Sequence, residues 1–285
     1  MTPELEARLA AADLDAAAVT ALVETALAED GAADVTSEPI FAPDDRAAGD
    51  FTAREDGVVA GIPVAEVVFE LLGVDYEAHV ADGDRVTKGR ILISVSGPTR
   101  AVLRAERIAL NLLTHLSGIA TATRRWVDAI EGTKAKVRDT RKTLPGLRAL
   151  QKYAVRCGGG VNHRMGLGDA ALVKDNHIAA AGSVTRAYEA IRAVYPSLHV
   201  QVECDTLAQV EEALAAGATS LLLDNMSIGE MTEAVRLVNG RAELEASGGL
   251  GLDGVRDVAV TGVDYLAVGA LTHSSRAYDI GLDFS

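Results

Sequence analysis

Three hydrophobic patterns follow one another along the chain of 285 residues. The first 30 residues are rich in Ala and place apolar positions at helical spacing, which predicts one or two amphipathic helices. Residues 36–103 carry short apolar or alternating runs between Gly and Asp, and this pattern predicts a region rich in strands. Apolar residues at helical spacing recur over residues 104–130 and predict one long helix.

From residue 135 onward, short β-runs alternate with helical segments. The six runs read KAKVRD, AALVKD, HVQVEC, TSLLLD, AELEAS and DYLAVG. Alternation of this kind is typical of parallel βα units. Eight units would close a barrel, so six of them predict an α/β barrel that is incomplete or augmented.

Charged residues lie at the ends of these apolar runs. Arg141 and Lys174 follow the first two runs. Glu203, Asp224 and Glu245 lie in the last residues of the next three. In a (β/α) barrel the carboxyl ends of the strands share the rim that carries the active site. Turn formation alone accounts for Asp224, but buried charge at the other ends is costly unless it is paired or binds a ligand. The pattern therefore favours one shared site.

The charge distribution indicates a small polyanionic ligand. The chain has 27 basic and 41 acidic residues, a net charge of −14, which argues against general nucleic-acid or anionic-membrane binding. Residues 134–164 are the exception, with nine basic residues and a single acid, Asp139. Such a cluster can be a solvated basic face. The glycines and the histidine interleaved with it favour a pocket that a ligand approaches closely.

The last two β-runs end in sequences suited to phosphate. They end at Ser247-Gly248-Gly249 and Val268-Gly269-Ala270. Loops after the final strands of a barrel commonly bind phosphate through backbone N–H groups, although each sequence alone is also an ordinary tight turn. Gly249, Gly251 and Gly254 also fit a dinucleotide-binding fingerprint. We reject that fold because Asp264 stands at the start of the next run, where the fingerprint needs an acid at its end.

Two carboxylates on successive runs, Glu203 and Asp224, are candidate metal ligands. Such a pair can bind Mg²⁺, which takes a few protein oxygens together with substrate phosphates. Zinc is the weaker alternative, because His163, His177 and His273 are scattered and lack a ligand spacing with Cys.

The cysteines and the N-terminus bear on the compartment. Cys157 and Cys204 form no C-x-x-C pair and no disulfide framework, so we expect a reducing, cytoplasmic compartment. Cys204 follows Glu203 directly and is predicted to pack on the opposite face of its strand. The acidic N-terminus does not resemble a signal peptide, and no run of 18 apolar residues predicts a membrane span.

The central block of the chain resembles the signature of one enzyme family. The block DTRKTLPGLRALQKYAVRCGGGVNHRMGLGDAALVKDNHI resembles that of the quinolinate phosphoribosyltransferases. AERIALNLLTHLSGIAT, QVECD, LLLDNM, EASGG and DYLAVGALTHS resemble the family's other motifs, in the same order. The resemblance covers residues 30–284, and no charged motif position departs from it.

This resemblance implies a fold, a reaction and an assembly. It implies an N-terminal α/β sandwich over residues 1–115, to which residues 275–285 return, and an incomplete α/β barrel with the catalytic site over residues 116–274. The implied reaction joins quinolinate to 5-phosphoribosyl-1-pyrophosphate with Mg²⁺ and yields nicotinate mononucleotide, carbon dioxide and pyrophosphate. The implied assembly is a homodimer in which Arg107 reaches the quinolinate of the partner subunit.

The resemblance also implies the residues of the site. The implied catalytic residues are Lys142, Lys174, Glu203 and Asp224, the last two as the metal ligands. The implied substrate-binding residues are Arg107, Thr140, Arg141, Lys142, His163, Arg164, Lys174, Glu203, Asp224, Ser247, Gly248, Gly249, Val268, Gly269, Ala270 and His273.

Three alternatives compete with this interpretation. The first is a related phosphoribosyltransferase that acts on another anion, such as the molybdenum-locus homologues, and the retained arginines argue against it. The second is a non-catalytic metabolite-binding protein on the same fold, which the intact Glu203 and Asp224 disfavour. The third is a biotinyl- or lipoyl-type carrier, suggested by VADGDRVTKGRILISVSG, but the chain lacks the modified lysine of such carriers.

Overall fold

The computed structural model describes residues 1–285, which divide into two compact units. The first unit comprises Met1–Arg124, Pro145–Gly159 and Ser274–Ser285, and the second comprises Arg125–Leu144 and Gly160–His273. This division differs from the predicted boundary at residue 115 in two ways. The long helix stays with the first unit through Arg124, and an internal segment, Pro145–Gly159, also belongs to that unit.

Helices and strands cover most of the chain. The helices are α1 (Pro3–Ala11), α2 (Ala16–Glu29), α3 (Ser37–Ile40), α4 (Ile62–Leu72), α5 (Thr99–Ala129), α6 (Arg148–Cys157), α7 (Asp175–Ala181), α8 (Val184–Val194), α9 (Leu207–Ala215), α10 (Ile228–Val238), α11 (Val255–Ala259) and α12 (Ala270–His273). The strands are β1 (Arg46–Ala53), β2 (Gly57–Val58), β3 (Asp75–Ala78), β4 (Arg85–Val86), β5 (Ile91–Pro98), β6 (Lys136–Arg138), β7 (Ala171–Val173), β8 (Val200–Cys204), β9 (Ser220–Asp224), β10 (Glu243–Ser247), β11 (Tyr265–Ala267) and β12 (Ile280–Phe284). No helix is both long and apolar enough to cross a membrane.

The first unit is built on an antiparallel sheet in the order β12-β1-β5-β3. The last strand of the chain, β12, pairs antiparallel with β1. Helix α4 packs against β3 and against the two N-terminal helices, α1 and α2, which the Ala-rich pattern predicted. The rings of Phe51 and Phe69 lie 5.5 Å apart in the core between sheet and helix.

Helix α4 was not predicted, because its sequence falls in the region expected to be strand-rich. Every residue from Ile62 to Phe69 is buried, and a short apolar run rich in Val is equally typical of a buried strand. Its ends carry conventional signals, with Pro63 in the first turn and Gly73 in the left-handed region at φ 67°. Asp82 caps its start by accepting from the N–H groups of Gly61 and Ile62, each at 2.9 Å.

The second unit is built on a parallel sheet in the order β6-β11-β10-β9-β8-β7. All six predicted β-runs form its strands, and the predicted βα alternation is confirmed. Capping boxes begin two of the helices, with Thr206 and Gln209 at α9 and Ser227 and Glu230 at α10. Because all six strands are parallel, their carboxyl ends lie at one edge of the sheet.

The alternation of side chains along each strand separates charged from packed residues. In β8, Gln201 and Glu203 share one face, while Val202 and Cys204 are buried on the other. Cys204 is a free thiol with 0% exposure, and burial raises its pKa to about 12, so its predicted packed role is confirmed. The predicted long helix is confirmed as α5, which begins at Thr99 rather than residue 104.

Candidate active site

The carboxyl ends of the parallel strands surround a cavity of about 410 Å³. Nine predicted site residues line this rim cavity, namely Thr140, Arg141, Lys142, His163, Arg164, Lys174, Glu203, Asp224 and Ser247. Four further residues line it, namely Leu172, Leu222, Glu245 and Ala267. Residues as far apart in the sequence as Thr140 and Ala267 therefore meet at one site, as the strand-end charges indicated.

The remaining predicted residues lie outside the lining. A Cβ on Gly269 would stand 3.1 Å from Lys142 Cδ and 3.3 Å from His273 Nε2, so the β11 turn packs closely on the Lys142 loop. Thr272 Oγ1 donates to the Lys142 carbonyl at 2.7 Å and fixes α12 against the same loop. Arg107 is exposed on α5 in the first unit and is not among the lining residues.

Basic side chains dominate one part of the rim cavity. Burial lowers the pKa of Arg164, and the neighbouring Arg141 guanidinium lowers it further. Arg164 Nη1 donates to the Ala170 carbonyl at 2.7 Å, which fixes its orientation. Arg141 Nε is buried without a hydrogen-bond partner in the protein. A buried cationic donor of this kind is costly unless a ligand accepts from it, so this part of the cavity is suited to an anion.

The carboxylate side of the cavity consists of Glu203 and Asp224. Burial raises the pKa of Glu203, the Lys174 ammonium and the Asp175 N–H lower it, and the Asp224 charge raises it again. Lys174 Nζ lies 3.6 Å from Glu203 Oε2. Asn225 Nδ2 donates to Asp224 Oδ2 at 2.6 Å. The two carboxylates thus face the same space, each held by a neighbouring donor.

Tight backbone packing shapes the turn after β10. Gly248 has φ 88°, and a Cβ there would stand 2.1 Å from Asn225 Oδ1 and 3.0 Å from Asn225 N. Only Gly tolerates both the φ and the contact. Gly249 also has a positive φ, 63°, but a Cβ there would meet nothing within 4 Å. The turn therefore packs against Asn225, whose side-chain amide donates a hydrogen bond to Asp224.

Sequence reasoning missed a buried polar cluster beneath the cavity. Arg138 Nη1 donates to Glu245 Oε2 at 2.7 Å, and Gln201 Nε2 donates to the same oxygen at 3.1 Å. Glu245 had been noted only as a strand-end charge, and Gln201 not at all. Strand alternation carried the signal for Gln201, which lies two residues before Glu203 and therefore on the same face.

Family models match nearly the whole chain. The N-terminal domain model of quinolinate phosphoribosyl transferase matches residues 34–117, and the C-terminal domain model matches residues 119–283. The chain is 54% identical over 257 residues to a nicotinate-nucleotide pyrophosphorylase [carboxylating] from Mycobacterium leprae, covering 88% of this chain and 90% of that protein.

Solved structures resemble the chain over almost its full length. NadC from Streptococcus pyogenes aligns with a TM-score of 0.92 at 40% identity, covering 95% of this chain and 98% of that one. The nicotinate-nucleotide pyrophosphorylase from Ehrlichia chaffeensis aligns with a TM-score of 0.90 at 44% identity, covering 93% and 98%.

Proposed function

This chain belongs to the quinolinate phosphoribosyltransferase family, and we propose that its rim cavity carries out that family's reaction. The enzyme transfers the phosphoribosyl group of 5-phosphoribosyl-1-pyrophosphate to quinolinate and releases carbon dioxide. The products are nicotinate mononucleotide, carbon dioxide and pyrophosphate, which places the reaction in NAD biosynthesis. The observation that carries the proposal is a cavity lined by both a cationic cluster and a carboxylate pair.

The cationic part of the cavity is suited to quinolinate, a planar dicarboxylate. Arg141 and Arg164 offer guanidinium groups, which recognise carboxylates through two parallel hydrogen bonds. The unpartnered Nε of Arg141 would gain an acceptor when a carboxylate binds. Lys142 and Lys174 add ammonium charge, and Leu172 offers an apolar surface for the ring.

Glu203 and Asp224 fit a magnesium ion that is shared with the sugar donor. The structure contains no group of three or more His, Cys, Asp or Glu side chains placed to hold a metal ion. Mg²⁺ does not need one, because it binds one or two carboxylates together with substrate phosphates. When bound, the ion would neutralise charge that develops on the departing pyrophosphate.

The reaction can be followed through the chain's own residues. Arg141 and Arg164 hold quinolinate so that its ring nitrogen forms the bond to ribosyl C1 while the bond from C1 to the pyrophosphate oxygen breaks. Glu203 and Asp224 face the positive charge that develops at C1. Lys142, which lines the cavity, would neutralise the departing pyrophosphate. Loss of the 2-carboxylate as carbon dioxide then leaves an electron pair that the pyridinium nitrogen stabilises until the carbon is protonated.

Glycine turns are proposed to hold the 5-phosphate of the donor. Ser247 lines the cavity, and Gly248 and Gly249 continue its turn in the left-handed region. Gly269 lies in the neighbouring turn, after the next strand of the sheet, and Ala270 begins α12. Backbone N–H groups in such turns bind phosphate oxygens without side-chain charge. Val268 and His273 flank this second turn in the sequence.

We propose further that the enzyme is a homodimer of the cytoplasm. Arg107 is exposed on the first unit and would serve the site of the partner subunit rather than its own. The resemblance of AERIALNLLTHLSGIAT to the family motif supports this role. The free thiols of Cys157 and Cys204 are consistent with a reducing compartment.

A substrate comparison tests the proposed function. Purified protein with Mg²⁺, labelled quinolinate and 5-phosphoribosyl-1-pyrophosphate should release carbon dioxide and form nicotinate mononucleotide. Nicotinate lacks one carboxylate and leaves a desolvated cation unpaired, at a cost of about 2–5 kcal/mol, so its kcat/KM should be at least about thirty-fold lower. No release of carbon dioxide from quinolinate, or equal efficiency on nicotinate, would refute this assignment.

A further inference from the structure

A buried ion pair lies in the interior of the second unit at the floor of the rim cavity, where Glu245 is one of the lining residues. Glu245 is 1% exposed and pairs with Arg138, which is 17% exposed. The Arg138 guanidinium also lies over the ring of Tyr265, 3.4 Å from its centroid. Apolar side chains fill the interior of most barrels, and a buried ion pair is often no more stabilising than an apolar replacement. A role in the reaction is therefore a better explanation for this pair than stability.

A chain of hydrogen bonds leads from the ion pair to the cavity wall. Gln201 Nε2 donates to Glu245 Oε2 at 3.1 Å, and Gln201 Oε1 lies 2.9 Å from His163 Nε2. The backbone N–H of Arg164 donates to His163 Nδ1 at 2.7 Å. Three links thus join a buried carboxylate to Arg164, one of the arginines assigned to quinolinate.

The groups at the two ends of this hydrogen-bond chain determine which atom donates and which accepts in each hydrogen bond. Arg138 can only donate and an ionised Glu245 can only accept, so the Gln201 amide must present its NH₂ to Glu245 and its oxygen to His163. His163 must then donate from Nε2. This leaves Nδ1 as the acceptor that the Arg164 N–H requires, so both ends of the chain demand the same tautomer.

We propose that Glu245 is a positioning residue that acts through Gln201 to hold His163 as its Nε2–H tautomer and thereby sets the place of Arg164. Glu245 Oε1 supports the same assignment, because it has no hydrogen-bond partner and lies 3.8 Å from His163 Nε2. Both ring nitrogens of His163 have protein partners, so the ring links Gln201 to the backbone of Arg164. The consequence for catalysis rests on the proposed function.

The backbone of this segment is fixed separately, which isolates the role of the ring. Asp139, with 0% exposure, accepts from the His163 N–H at 2.8 Å and from Asn162 Nδ2 at 2.5 Å. Loss of Glu245 or Gln201 therefore leaves His163 tethered to Asp139. What these two residues control is the orientation and the protonated nitrogen of the imidazole.

Kinetics of two variants test the proposal. Glu245→Gln keeps the shape of the side chain but turns one of its two oxygens into a donor, so the Gln201 amide is no longer held in a single orientation. Gln201→Met breaks the chain of hydrogen bonds but leaves the Arg138–Glu245 ion pair intact. This variant decides the test if Glu245→Gln fails to fold. Each variant should raise the KM for quinolinate about ten-fold, because one hydrogen bond from Arg164 to the charged substrate is lost. The KM for 5-phosphoribosyl-1-pyrophosphate should stay within about two-fold of the wild-type value.

The matched control is Glu243→Gln, the same chemical change two residues away on β10. Glu243 is exposed, and the one hydrogen bond given for its side chain is from the Tyr265 hydroxyl, at 3.3 Å, so both KM values should stay at wild-type levels. An unchanged KM for quinolinate in a folded Gln201→Met enzyme would overturn the proposal. An equal rise in both KM values would also overturn it, because a general structural role has that effect.

Nitrogen NMR reads the tautomer without reference to activity. In protein labelled with ¹⁵N-histidine, at a pH above the ordinary histidine range, His163 should show a protonated Nε2 and an unprotonated Nδ1. A His163→Asn spectrum identifies its signals among the six histidines. Gln201→Met should shift the Nε2 signal of His163 and add exchange with the other tautomer, because only the Arg164 N–H then favours the Nε2–H form. Glu243→Gln should leave the spectrum unchanged. A wild-type spectrum of His163 in folded Gln201→Met refutes the inference, whereas an inactive wild-type enzyme with the expected spectra refutes only the proposed function.

Discussion

At the scale of single residues, the same type of side chain plays different parts according to its neighbours. Glu203 lines the cavity beside Lys174, and its charge is available to a ligand. Glu245, on a neighbouring part of the sheet, is neutralised by Arg138 and its bonded oxygen is committed to protein donors. Glu243 lies exposed at the other end of β10. Composition alone does not distinguish these three carboxylates.

The carboxylate pair predicts a metal requirement. Glu203→Gln and Asp224→Asn each remove one charge from the proposed magnesium site while keeping the size of the side chain. Turnover should fall at least about a hundred-fold, as for the loss of a group that stabilises charge in the transition state. Steady-state rates and the magnesium concentration for half-maximal activity are the measurements.

Glu243→Gln is again the control for this metal prediction, because it makes the same change away from the cavity. Circular dichroism should show that all three variants are folded. Wild-type turnover by Glu203→Gln and Asp224→Asn in metal-free buffer would exclude the assignment of the pair.

A histidine in the first unit predicts a loss of stability in acid. Burial lowers the pKa of His115, and Gln151 Nε2 donates to its Nε2 at 2.9 Å, so the folded protein favours the neutral ring. As the pH falls through the ordinary histidine pKa of about 6.5, the unfolded chain takes up a proton first. Stability is therefore lost from about pH 6.5 downward, until the lower folded-state pKa is passed.

Urea unfolding measures this effect. Between pH 7.5 and 5.5, values of about one unit on each side of the ordinary histidine pKa, His115→Gln should lose less free energy of unfolding than the wild type. Replacement of the exposed His199 by Gln serves as the control and should leave the wild-type pH dependence in place. Identical pH dependence in wild type and His115→Gln would contradict the prediction.

At the scale of elements, the turns after the parallel strands determine how well the site is held. The turn at Gly248 packs on Asn225, and Asn225 donates to Asp224, so a change in one loop reaches a carboxylate on the neighbouring strand. The β11 turn at Gly269 lies close to the flexible Lys142 side chain, with 3.1 Å from a Cβ at that position to Lys142 Cδ. The contact with Asn225 explains why glycine stands at position 248 independently of any phosphate.

Two glycines of the β10 turn give a matched test. Gly248→Ala and Gly249→Ala both place a side chain at positive φ and so share the backbone strain, about 1 kcal/mol each. Only Gly248→Ala also drives a Cβ into Asn225, at 2.1 Å from its Oδ1. We expect kcat to fall at least about ten-fold more in Gly248→Ala, because a displacement near the reacting groups is costly.

Melting temperatures accompany the rates of these two variants. Equal losses of activity in both variants would contradict this prediction. They would mean that backbone strain, or a ligand contact common to both glycines, causes the loss. Asn225→Ala removes the side chain that the new Cβ meets. The double variant Gly248→Ala with Asn225→Ala should therefore be nearly as active as Asn225→Ala alone.

At the scale of the whole molecule, the two units are interleaved in sequence. The segment Pro145–Gly159 belongs to the first unit, where Tyr153 Oη donates to Asp82 Oδ2 at 2.6 Å and α6 meets α5 through Gln151 and His115. On either side of it, the chain carries the Arg141 loop and the His163 loop of the rim cavity. The chain therefore leaves the second unit and re-enters it between two groups of site residues.

The proposed dimer predicts complementation between two inactive proteins. Arg107→Ala and Lys174→Ala homodimers should each be nearly inactive. In a mixed dimer, one site carries both lesions and the other carries neither, if Arg107 serves the partner's site. After subunit exchange, half of the dimers are mixed, so activity should return to about a quarter of the wild-type value for an isologous dimer.

Subunit exchange is verified by native mass spectrometry. Arg104→Ala replaces Arg107→Ala in the control, because Arg104 is on the same helix and donates to the Gly31 carbonyl of its own chain. Mixtures that exchange completely and yet recover no activity would show that both residues belong to one chain.

The periodicity of apolar residues was sufficient to predict the elements that a short window of sequence encodes. The six β-runs, the helix α5 and the charges at the strand ends follow from spacings of two and 3.6 residues, which a short window of sequence contains. Parallel pairing then brings the ends of the runs together, so most of the rim cavity could be predicted before the structure. Helix α4 was missed because Ile62–Phe69 form a short, Val-rich buried run, which local sequence does not distinguish from a buried strand.

Contacts between distant residues were decided only by the tertiary structure. Arg138 and Glu245 are 107 residues apart, and Tyr153 and Asp82 are 71 apart, so no local pattern records either pair. Whether a buried charge is paired, and which nitrogen of His163 carries its proton, depends on donors and acceptors that several strands bring together. The sequence alone determined which groups end each strand, but their partners, and hence their chemistry, were determined by packing in the folded chain.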